Sequence, residues 1–295
     1  MKTMQIGGWA TNVVDQEEVF PIVAINEASR LLSAWKGVFP REDTWVQRNH
    51  EVPSLVVRLD CVIHNGQLSV YEIEERPAGI GVALTINRQF RDLFQGWLKD
   101  WSLIKVVVSS RRGKDGDDYL WSEIVSLEQA MEENSLVLVR AEPKEKEFLA
   151  LAKRSISSIG VKGDKSYGVA LGWWEEIDGS SRLPYNDGFV VKPIQGSKAR
   201  DVEIYPPKHL KKMGGSSTIN RIESVIGRKG RMYLQPFILP MVHPLYSGMF
   251  MIYRAFFGYR KETGYIPLGG LWNARPNLKI HGASDAVFGP LILDQ

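Results

Sequence analysis

Two stretches with the pattern of β-strands flank the dipeptide Asn65-Gly66 in the segment LVVRLDCVIHNGQLSVYEIEE. Asn-Gly favours a two-residue type I′ turn, because both central residues of that turn take positive φ. We therefore predict two antiparallel strands, at about residues 55 to 63 and 68 to 74. A tight hairpin fixes which side chains stand opposite each other, so this segment constrains the fold more than any other.

Helix and strand patterns surround the hairpin. Apolar spacing predicts helices from Asn26 to Trp35 and from Asn87 to Trp101. Between residues 103 and 157 the order is strand (IKVVVSS), helix (SLEQAMEE), strand (LVLVR) and helix (EKEFLALAKRS), typical of a small parallel layer. This layer is similar to a Rossmann-type subdomain without a GxGxxG turn. Four strands follow from Gly188, FVVKP, YLQPFILP, MFMIYRAFFGY and GGLWNARP, so the predicted class is α/β (α+β).

Composition places the chain among ordinary globular proteins, with 295 residues of which 44% are hydrophobic and 24% charged. This length predicts two lobes or one large α/β unit. The single cysteine, Cys61, cannot form an internal disulfide or a multi-thiolate metal site, which fits a reducing compartment, so we expect the cytoplasm. We expect neither secretion nor membrane spanning, because the sequence has no signal-like apolar core and no run of about 18 uncharged apolar residues.

The strand FVVKP ends in Lys192 and Pro193 and leads into a loop of small residues and cations. Between Lys192 and Arg231 there are ten Lys or Arg against three Asp or Glu, a local charge of +7 in a chain whose formal net charge is +3. A lysine together with backbone N–H groups can bind phosphate oxygens. The segment is therefore a candidate polyphosphate site, and a solvated basic face is the alternative.

Two later strands carry further candidates for nucleotide binding. The strand MYLQPFILP offers Gln235, with Phe237 and Ile238 as apolar walls, and such a strand end suits an adenine ring. Arg254 lies in the aromatic-rich strand IYRAFFGY, where burial of a guanidinium is costly unless an anion or a carboxylate meets it. Arg254 is therefore a candidate partner of a phosphate or of an acidic side chain.

This ordered set of strand-Lys-Pro, basic Gly/Ser loop, Gln-Pro-Phe segment and Arg-x-Phe strand resembles the ATP-grasp superfamily of carboxylate–amine ligases. Upstream, VVRLDCVIHNGQLSVYEIEERPAGIG is similar to the metal-binding hairpin of the circularly permuted members, the eukaryotic glutathione synthetase and glutathionylspermidine synthetase group. Those proteins carry an Arg-x-Asp strand and a strand with a Glu-x-Asn pair. The resemblance implies an ATP-grasp-like fold, with two α+β lobes around an ATP site and a small Rossmann-like subdomain.

The resemblance also implies ATP and Mg²⁺ as cofactors and assigns residues to them. Glu72 and Glu74 fall on the metal positions, and a spacing of two puts both side chains on one face of a strand. Arg254 would stabilise charge on the transferred phosphoryl group, while Arg58 and Arg275 are candidates for binding a substrate carboxylate. The implied nucleotide-binding residues are Lys192, Gln195, Ser197, Lys198, Gln235, Phe237 and Ile238.

The chain departs from the family pattern at several positions. Glu74 stands where glutathione synthetase has Asn, and Gly196 stands where its glycine loop has a third metal-binding Glu. The strand GGLWNARP provides Asn273 and Arg275 without the acidic residue that a conventional ATP-grasp strand places two residues from its Asn. The metal-binding carboxylates are therefore expected from the hairpin.

Four functions remain open at this point. The leading one is an ATP-dependent ligase that joins a small-molecule or peptide carboxylate to an amine through an acyl phosphate. The others are a phosphotransferase on the same fold, a regulatory protein with a degenerate ATP site, and a basic nucleic-acid module that would use the segment from Lys192 to Arg231. The net charge of +3 is too small to imply a nucleic-acid binder by itself, so nucleic acid is not an expected partner.

The expected domains are an N-terminal segment (1–50), the metal-binding hairpin with its helix (51–102), the small α/β subdomain (103–160) and the nucleotide-binding lobes (161–295). Families with this architecture are often dimeric, so a homodimer is also expected.

Overall fold

A computed structural model describes residues 2–6, 9–36, 54–75, 77–100, 105–109, 137–141, 155–159, 163–164, 167–177, 188–193, 195–196, 202–207, 220, 223–224, 227, 232–280 and 285–294. No helix within these ranges has the length and apolar character needed to span a membrane.

Strands and helices are numbered in chain order. The strands are β1 (Lys2–Ile6), β2 (Trp9–Val13), β3 (Glu18–Phe20), β4 (Val56–His64), β5 (Gln67–Glu75), β6 (Lys105–Ser109), β7 (Val137–Ala141), β8 (Ser155–Ile159), β9 (Gly163–Asp164), β10 (Glu175–Ile177), β11 (Phe189–Pro193), β12 (Gln195–Gly196), β13 (Glu203–Tyr205), β14 (Met232–Pro236), β15 (Met241–Val242), β16 (Phe250–Arg260), β17 (Gly264–Arg275) and β18 (Val287–Leu293). The helices are α1 (Ile22–Lys36), α2 (Ile80–Ile86), α3 (Arg88–Leu98) and α4 (Tyr167–Ala170). The predicted α+β class is confirmed.

The largest sheet has nine strands, seven of them in the order β1-β2-β18-β17-β16-β4-β5, while β15 pairs with β16 and β3 with β18. Most pairs are antiparallel, and β18 is parallel to β2 and β3. The central pair of β16 and β4 joins two segments that are far apart in the chain, with Arg254 opposite Asp60. Long-range pairing therefore builds this sheet.

The predicted hairpin is confirmed. β4 and β5 meet at Asn65 (φ 50°) and Gly66 (φ 78°), the positive φ values that a type I′ turn needs. Arg58 stands opposite Glu74, and Asp60 stands opposite Glu72. The register shifts once after Asp60, at a bulge that the sequence pattern did not predict.

Helices cover parts of both faces of this sheet. On one face, Trp35 of α1 contacts Tyr265, with ring centroids 6.0 Å apart. On the other face, Phe90 of α3 contacts Phe256, with ring centroids 5.2 Å apart. Gly258 lies on this second face against α3, because a Cβ there would come within 2.7 Å of the indole of Trp97.

The predicted helices are present with different bounds. α1 begins four residues before the predicted Asn26, at Ile22, and α3 ends at Leu98 instead of Trp101. Asn87 caps α3 instead of belonging to it, because its side chain accepts a hydrogen bond from the Phe90 N–H (3.0 Å).

Asn87 also ties α3 to the sheet. Its buried Nδ2 donates to the carbonyl oxygens of Gly270 (2.7 Å) and Leu291 (2.9 Å). One side chain therefore satisfies a helix end and two buried carbonyls.

We expect Asn87→Leu to lower the free energy of unfolding by about 2 kcal/mol or more, because it removes a helix cap and leaves buried groups without partners. Urea unfolding measures this change. Asn277→Leu is the control, because Asn277 is exposed and accepts only a turn hydrogen bond from the Lys279 N–H (3.0 Å). Equal losses in the two variants would contradict the anchoring role.

A separate sheet has three parallel strands in the order β7-β6-β8. The parallel pairing of β6 with β7 agrees with the prediction for this layer. The predicted helix SLEQAMEE and residues 145–154 of the helix EKEFLALAKRS lie outside the described residues. The last residue of that second predicted helix, Ser155, belongs instead to β8.

A four-stranded antiparallel sheet has the order β10-β14-β11-β13. Side chains on one face of this sheet, from alternate positions along its strands, form an apolar core. They are Ile177, Phe189, Val191, Tyr205, Met232 and Leu234. The two short strands β9 and β12 form a ladder of their own.

The contacts within the chain define two compact units. One unit comprises Met1–Lys36, Asn49–Val161 and Pro240–Gln295, and the other comprises Gly37–Arg48 and Lys162–Leu239. Residues from 240 onward fold with the hairpin because β16 pairs with β4. We call these the hairpin unit and the Lys192 unit.

Candidate functional site

In the hairpin unit, a charged row crosses one face of the large sheet. The row consists of Arg58, Asp60, Glu72, Glu74 and Arg254. Directly paired residues of antiparallel strands share a face, and Asp60 is paired with both Glu72 and Arg254. Arg58 and Glu74 form the next pair on the same face, since side chains alternate along each strand. The structure thus brings together four residues that the sequence predicts for the site, Arg58, Glu72, Glu74 and Arg254, with Asp60 in their midst.

Arg58 is the best-connected member of the charged row. Its Nε lies 2.6 Å from Oδ1 of Asp60, and Nη2 lies 3.0 Å from Oδ2 of the same carboxylate. Nη1 donates to the carbonyl oxygen of Ala78, and Nη2 also forms an ion pair with Glu74. The predicted binding of a substrate carboxylate by Arg58 would therefore require exchange of an internal carboxylate, and it stays a prediction.

Arg254 is buried on β16, with only 6% of its surface exposed. Its Nε lies 3.9 Å from Oδ2 of Asp60, which is an ion-pair distance and too long for a hydrogen bond. Asp60 therefore stands between two guanidinium groups and is held bidentately by one of them, Arg58.

Glu72 and Glu74 lie two residues apart on β5, as the proposed metal role requires. The Glu74 side chain is 39% exposed as a whole, but its Oε2 is buried beside Arg58. Burial raises the pKa of Glu74, Arg58 opposes that change, and the charges of Asp60 and Glu72 add to it.

Carboxylate oxygens are the donors that Mg²⁺ prefers, so the chemistry of Glu72 and Glu74 fits the ion. Among the residues that the structure describes, no group of three or more His, Cys, Asp or Glu side chains could hold a metal ion. The role of Glu72 and Glu74 as metal ligands therefore stays a prediction.

Arg275 lies on the same face as Arg254, at the end of β17. Its Nε and Nη2 bind the two oxygens of Asp285 at 2.7 and 2.9 Å, and its Nη1 donates to the carbonyl oxygen of Lys279 (2.8 Å). Like Arg58, it holds an internal carboxylate bidentately. Its predicted contact with a substrate carboxylate also stays a prediction.

In the Lys192 unit, Lys192 and Gln235 lie on one face of the four-stranded sheet, opposite the apolar core. Lys192 is paired with Tyr233, and Gln235 stands two residues further along β14. Both side chains are buried, with 7% and 3% exposed. The Nζ of Lys192 lies 4.8 Å from the ring centroid of Trp174, within the range of a cation–π interaction.

Of the remaining predicted nucleotide-binding residues, three lie in the part of the chain that the structure describes and two lie outside it. Gln195 lies in β12 opposite Asp164, and Phe237 and Ile238 follow the end of β14 and are half-buried. The N–H of Phe237 donates to the carbonyl oxygen of Gly188 (3.1 Å). Ser197 and Lys198 lie outside the described residues.

Sequence reasoning missed several residues of these two clusters. The sequence pattern does not place Trp174 beside Lys192, and only the packing of the chain brings its ring there. In the sequence Asp60 is only the acidic residue of the Arg-x-Asp motif, whereas its pairing with two other strands places it at the centre of the charged row. Nothing in the sequence pattern pointed to Asp285.

The chain matches no protein-family model and no curated protein. It is similar to a solved structure, a "putative gamma-glutamylcysteine synthetase" from Methylobacillus flagellatus KT, with a TM-score of 0.48 and 10% sequence identity. The alignment covers 92% of this chain and 85% of that chain. Likeness at this level does not determine a function, so we take the function from this chain's own residues.

We expect Arg58→Ala to lower the free energy of unfolding by about 3 kcal/mol at neutral pH, because it leaves the buried Glu74 oxygen without its cation and Asp60 with only the more distant Arg254. Arg58 lowers the pKa of Glu74, so its removal raises that pKa further. Protonation of Glu74 relieves the repulsion that its charge feels, and the loss should therefore shrink as the pH falls. Denaturant unfolding at several pH values measures it.

Arg88→Ala is the matched control for this variant. The Arg88 side chain is 91% exposed, and its Nε lies 3.9 Å from Oδ2 of Asp92 on the same helix. Its loss should therefore change the free energy of unfolding by less than about 0.5 kcal/mol at any pH. A loss for Arg58→Ala that is small, or that grows as the pH falls, would contradict the role of Arg58 as the shared cation.

Proposed function

We propose that the chain is an ATP- and Mg²⁺-dependent ligase that joins a carboxylate to an amine. The observation that carries this proposal is the charged row, in which Arg58, Glu72, Glu74 and Arg254 share one sheet face. The resemblance to the permuted ATP-grasp ligases assigns roles to these same residues. The buried Lys192 and Gln235, on one face of the other sheet, add support.

The proposed reaction has two steps. An oxygen of the substrate carboxylate attacks the γ-phosphorus of ATP, and the bond from that phosphorus to the bridging oxygen breaks as ADP leaves with its electron pair. The amine nitrogen then attacks the acyl carbon, inorganic phosphate leaves, and the nitrogen loses a proton to solvent. No covalent bond to the protein is needed.

The proposed residue roles follow from charge at the phosphates and from apolar contact and hydrogen bonding at the adenine. Lys192 would bind the β- and γ-phosphates as a point charge, while Gln235, Phe237 and Ile238 would contact the adenine. Gln195, Ser197 and Lys198 are the further candidates of the phosphate loop. Arg254 would stabilise negative charge on the phosphoryl group in transfer.

Glu72 and Glu74 would hold Mg²⁺, which when bound neutralises phosphate charge and orients the transferred group. Arg58 would bind the substrate carboxylate in exchange for its present partner Glu74 or Asp60. Arg275 would bind it in exchange for Asp285. The substrate class is a small-molecule or peptide carboxylate with an amine acceptor.

The first experiment is a thermal-shift titration with ATP, with Mg²⁺ and with both together. We expect a joint, metal-dependent rise in melting temperature, because a ligand that binds only the native state stabilises it by mass action. ADP release is then screened against carboxylates with and without amines. Release that requires both substrates supports a ligase, whereas a phosphorylated product formed without an amine identifies a phosphotransferase. No shift at millimolar ATP would remove the nucleotide proposal.

We expect Lys192→Met to weaken ATP binding by about tenfold or more, since it removes a cation from the phosphates but keeps the packing against Trp174. Calorimetric titration measures the affinity. Lys261→Met is the control, because Lys261 is exposed in the turn between β16 and β17. Equal ATP affinity in the two variants would place the phosphates elsewhere.

We expect Glu72→Gln to abolish the Mg²⁺ dependence of the ATP-induced shift with little change in the melting temperature of the free protein, because a neutral amide binds a hard cation poorly. Glu75→Gln is the control on the same strand, since its pairing with Val57 turns it to the opposite face. A normal metal response in Glu72→Gln would remove the hairpin from the metal site.

A further inference from the structure

Asn273 on β17 is buried completely, and neither atom of its amide forms a hydrogen bond within the described part of the chain. Its strand partners are Ile252 and Phe288, whose side chains cannot hydrogen-bond. A buried amide without a partner destabilises a fold, and most buried polar groups are satisfied for that reason. An unsatisfied amide therefore indicates a bond that forms with something besides this chain.

The position of Asn273 on the sheet indicates the charge of that partner. Asn273 is paired with Ile252, two residues from Arg254 on the same strand, so Asn273 and Arg254 are diagonal neighbours on one face. The carboxylates of the charged row lie on the other side of Arg254, on β4 and β5. The charged residues nearest to Asn273 in the register of the sheet, Arg254 and Arg275, are both cations. This disfavours a metal ion and favours an anion.

We infer that Asn273 and Arg254 together form an oxyanion site on the β16–β17 side of the charged row, with Asn273 Nδ2 as a hydrogen-bond donor to the bound oxygen. The inference deepens the proposed function and rests on it. The proposed reaction supplies two molecules that could provide the bound oxygen, a phosphate of the nucleotide and the carboxylate of the substrate. The site divides the face by charge, with anions bound at β16 and β17 and a cation at β5.

Replacement of each of two buried asparagines by Leu tests this site. Asn273→Leu removes an unsatisfied amide, so the melting temperature of the free protein should stay the same or rise. Asn87→Leu is the matched control, because it removes an equally buried amide whose three hydrogen bonds are all made within the chain. Its melting temperature should fall.

The binding measurements use Mg²⁺-ATP, sodium phosphate and sodium acetate as separate probes, with sodium chloride as the ionic-strength control. We expect Asn273→Leu to bind the recognised oxyanion at least about tenfold more weakly than the wild type, since a hydrogen bond to a charged group is lost. Asn87→Leu, measured below its melting temperature, should bind that probe as the wild type does. The phosphate and acetate arms show which source of oxyanion the site takes.

Asn273→Asp distinguishes an oxyanion site from a metal site. The change keeps the size of the side chain but adds a negative charge, so it should abolish oxyanion binding and leave the affinity for Mg²⁺ alone unchanged. Tighter Mg²⁺ binding in this variant would overturn the inference, because Asn273 would then be a cation ligand.

Two other results would overturn the inference of an oxyanion site at Asn273. If Asn273→Leu loses as much melting temperature as Asn87→Leu, the amide is satisfied inside the fold and its role is structural. If Asn273→Leu is stable and binds every probe like the wild type, the amide has no ligand. Wild-type binding of phosphate or acetate without any response to Mg²⁺-ATP would leave the oxyanion site standing while the proposed ligase function fails.

Discussion

The hairpin unit depends on one guanidinium, that of Arg58. Asp60, Glu72 and Glu74 occupy neighbouring positions on two paired strands, where like charges repel each other. Arg58 binds two of these carboxylates and also fixes the carbonyl oxygen of Ala78, at the start of the segment that leads into α2. A buried cation with this many partners allows three acidic residues to stay on one sheet face.

The pairing of β4 with β16 then adds the second guanidinium, Arg254. Two arginines and three carboxylates leave the charged row with a formal charge of −1. A negative row suits a bound cation better than an anion alone, and it can accept an anion when a divalent ion is present. This balance agrees with the proposed division of the face, with Mg²⁺ at β5 and an oxyanion at β16 and β17.

Local patterns in the sequence were sufficient to predict the hairpin and the shared face of Glu72 and Glu74. Asn65-Gly66 specifies its turn through its own backbone preferences, and alternation along a strand is a property of the strand alone. The bulge after Asp60 lies inside the hairpin, but no alternation pattern marks the extra residue. The contact of Arg254 with Asp60 depends on which strand packs beside β4, and residues nearly 200 positions apart decide that. The partners of Arg275 and Lys192 are nearer in the sequence, but the path of the chain between them brings them together and no local pattern specifies that path.

The hairpin unit is discontinuous, because residues 162–239 belong to the other unit and separate β5 from β16. During synthesis the apolar strand β4 therefore leaves the ribosome long before its neighbour β16. At about 5–20 residues per second, the roughly 190 residues between them take about 10 to 40 s to make. For that time β4 is an open sheet edge that another chain could pair with, so the rate of translation and the presence of chaperones should affect the yield of folded protein.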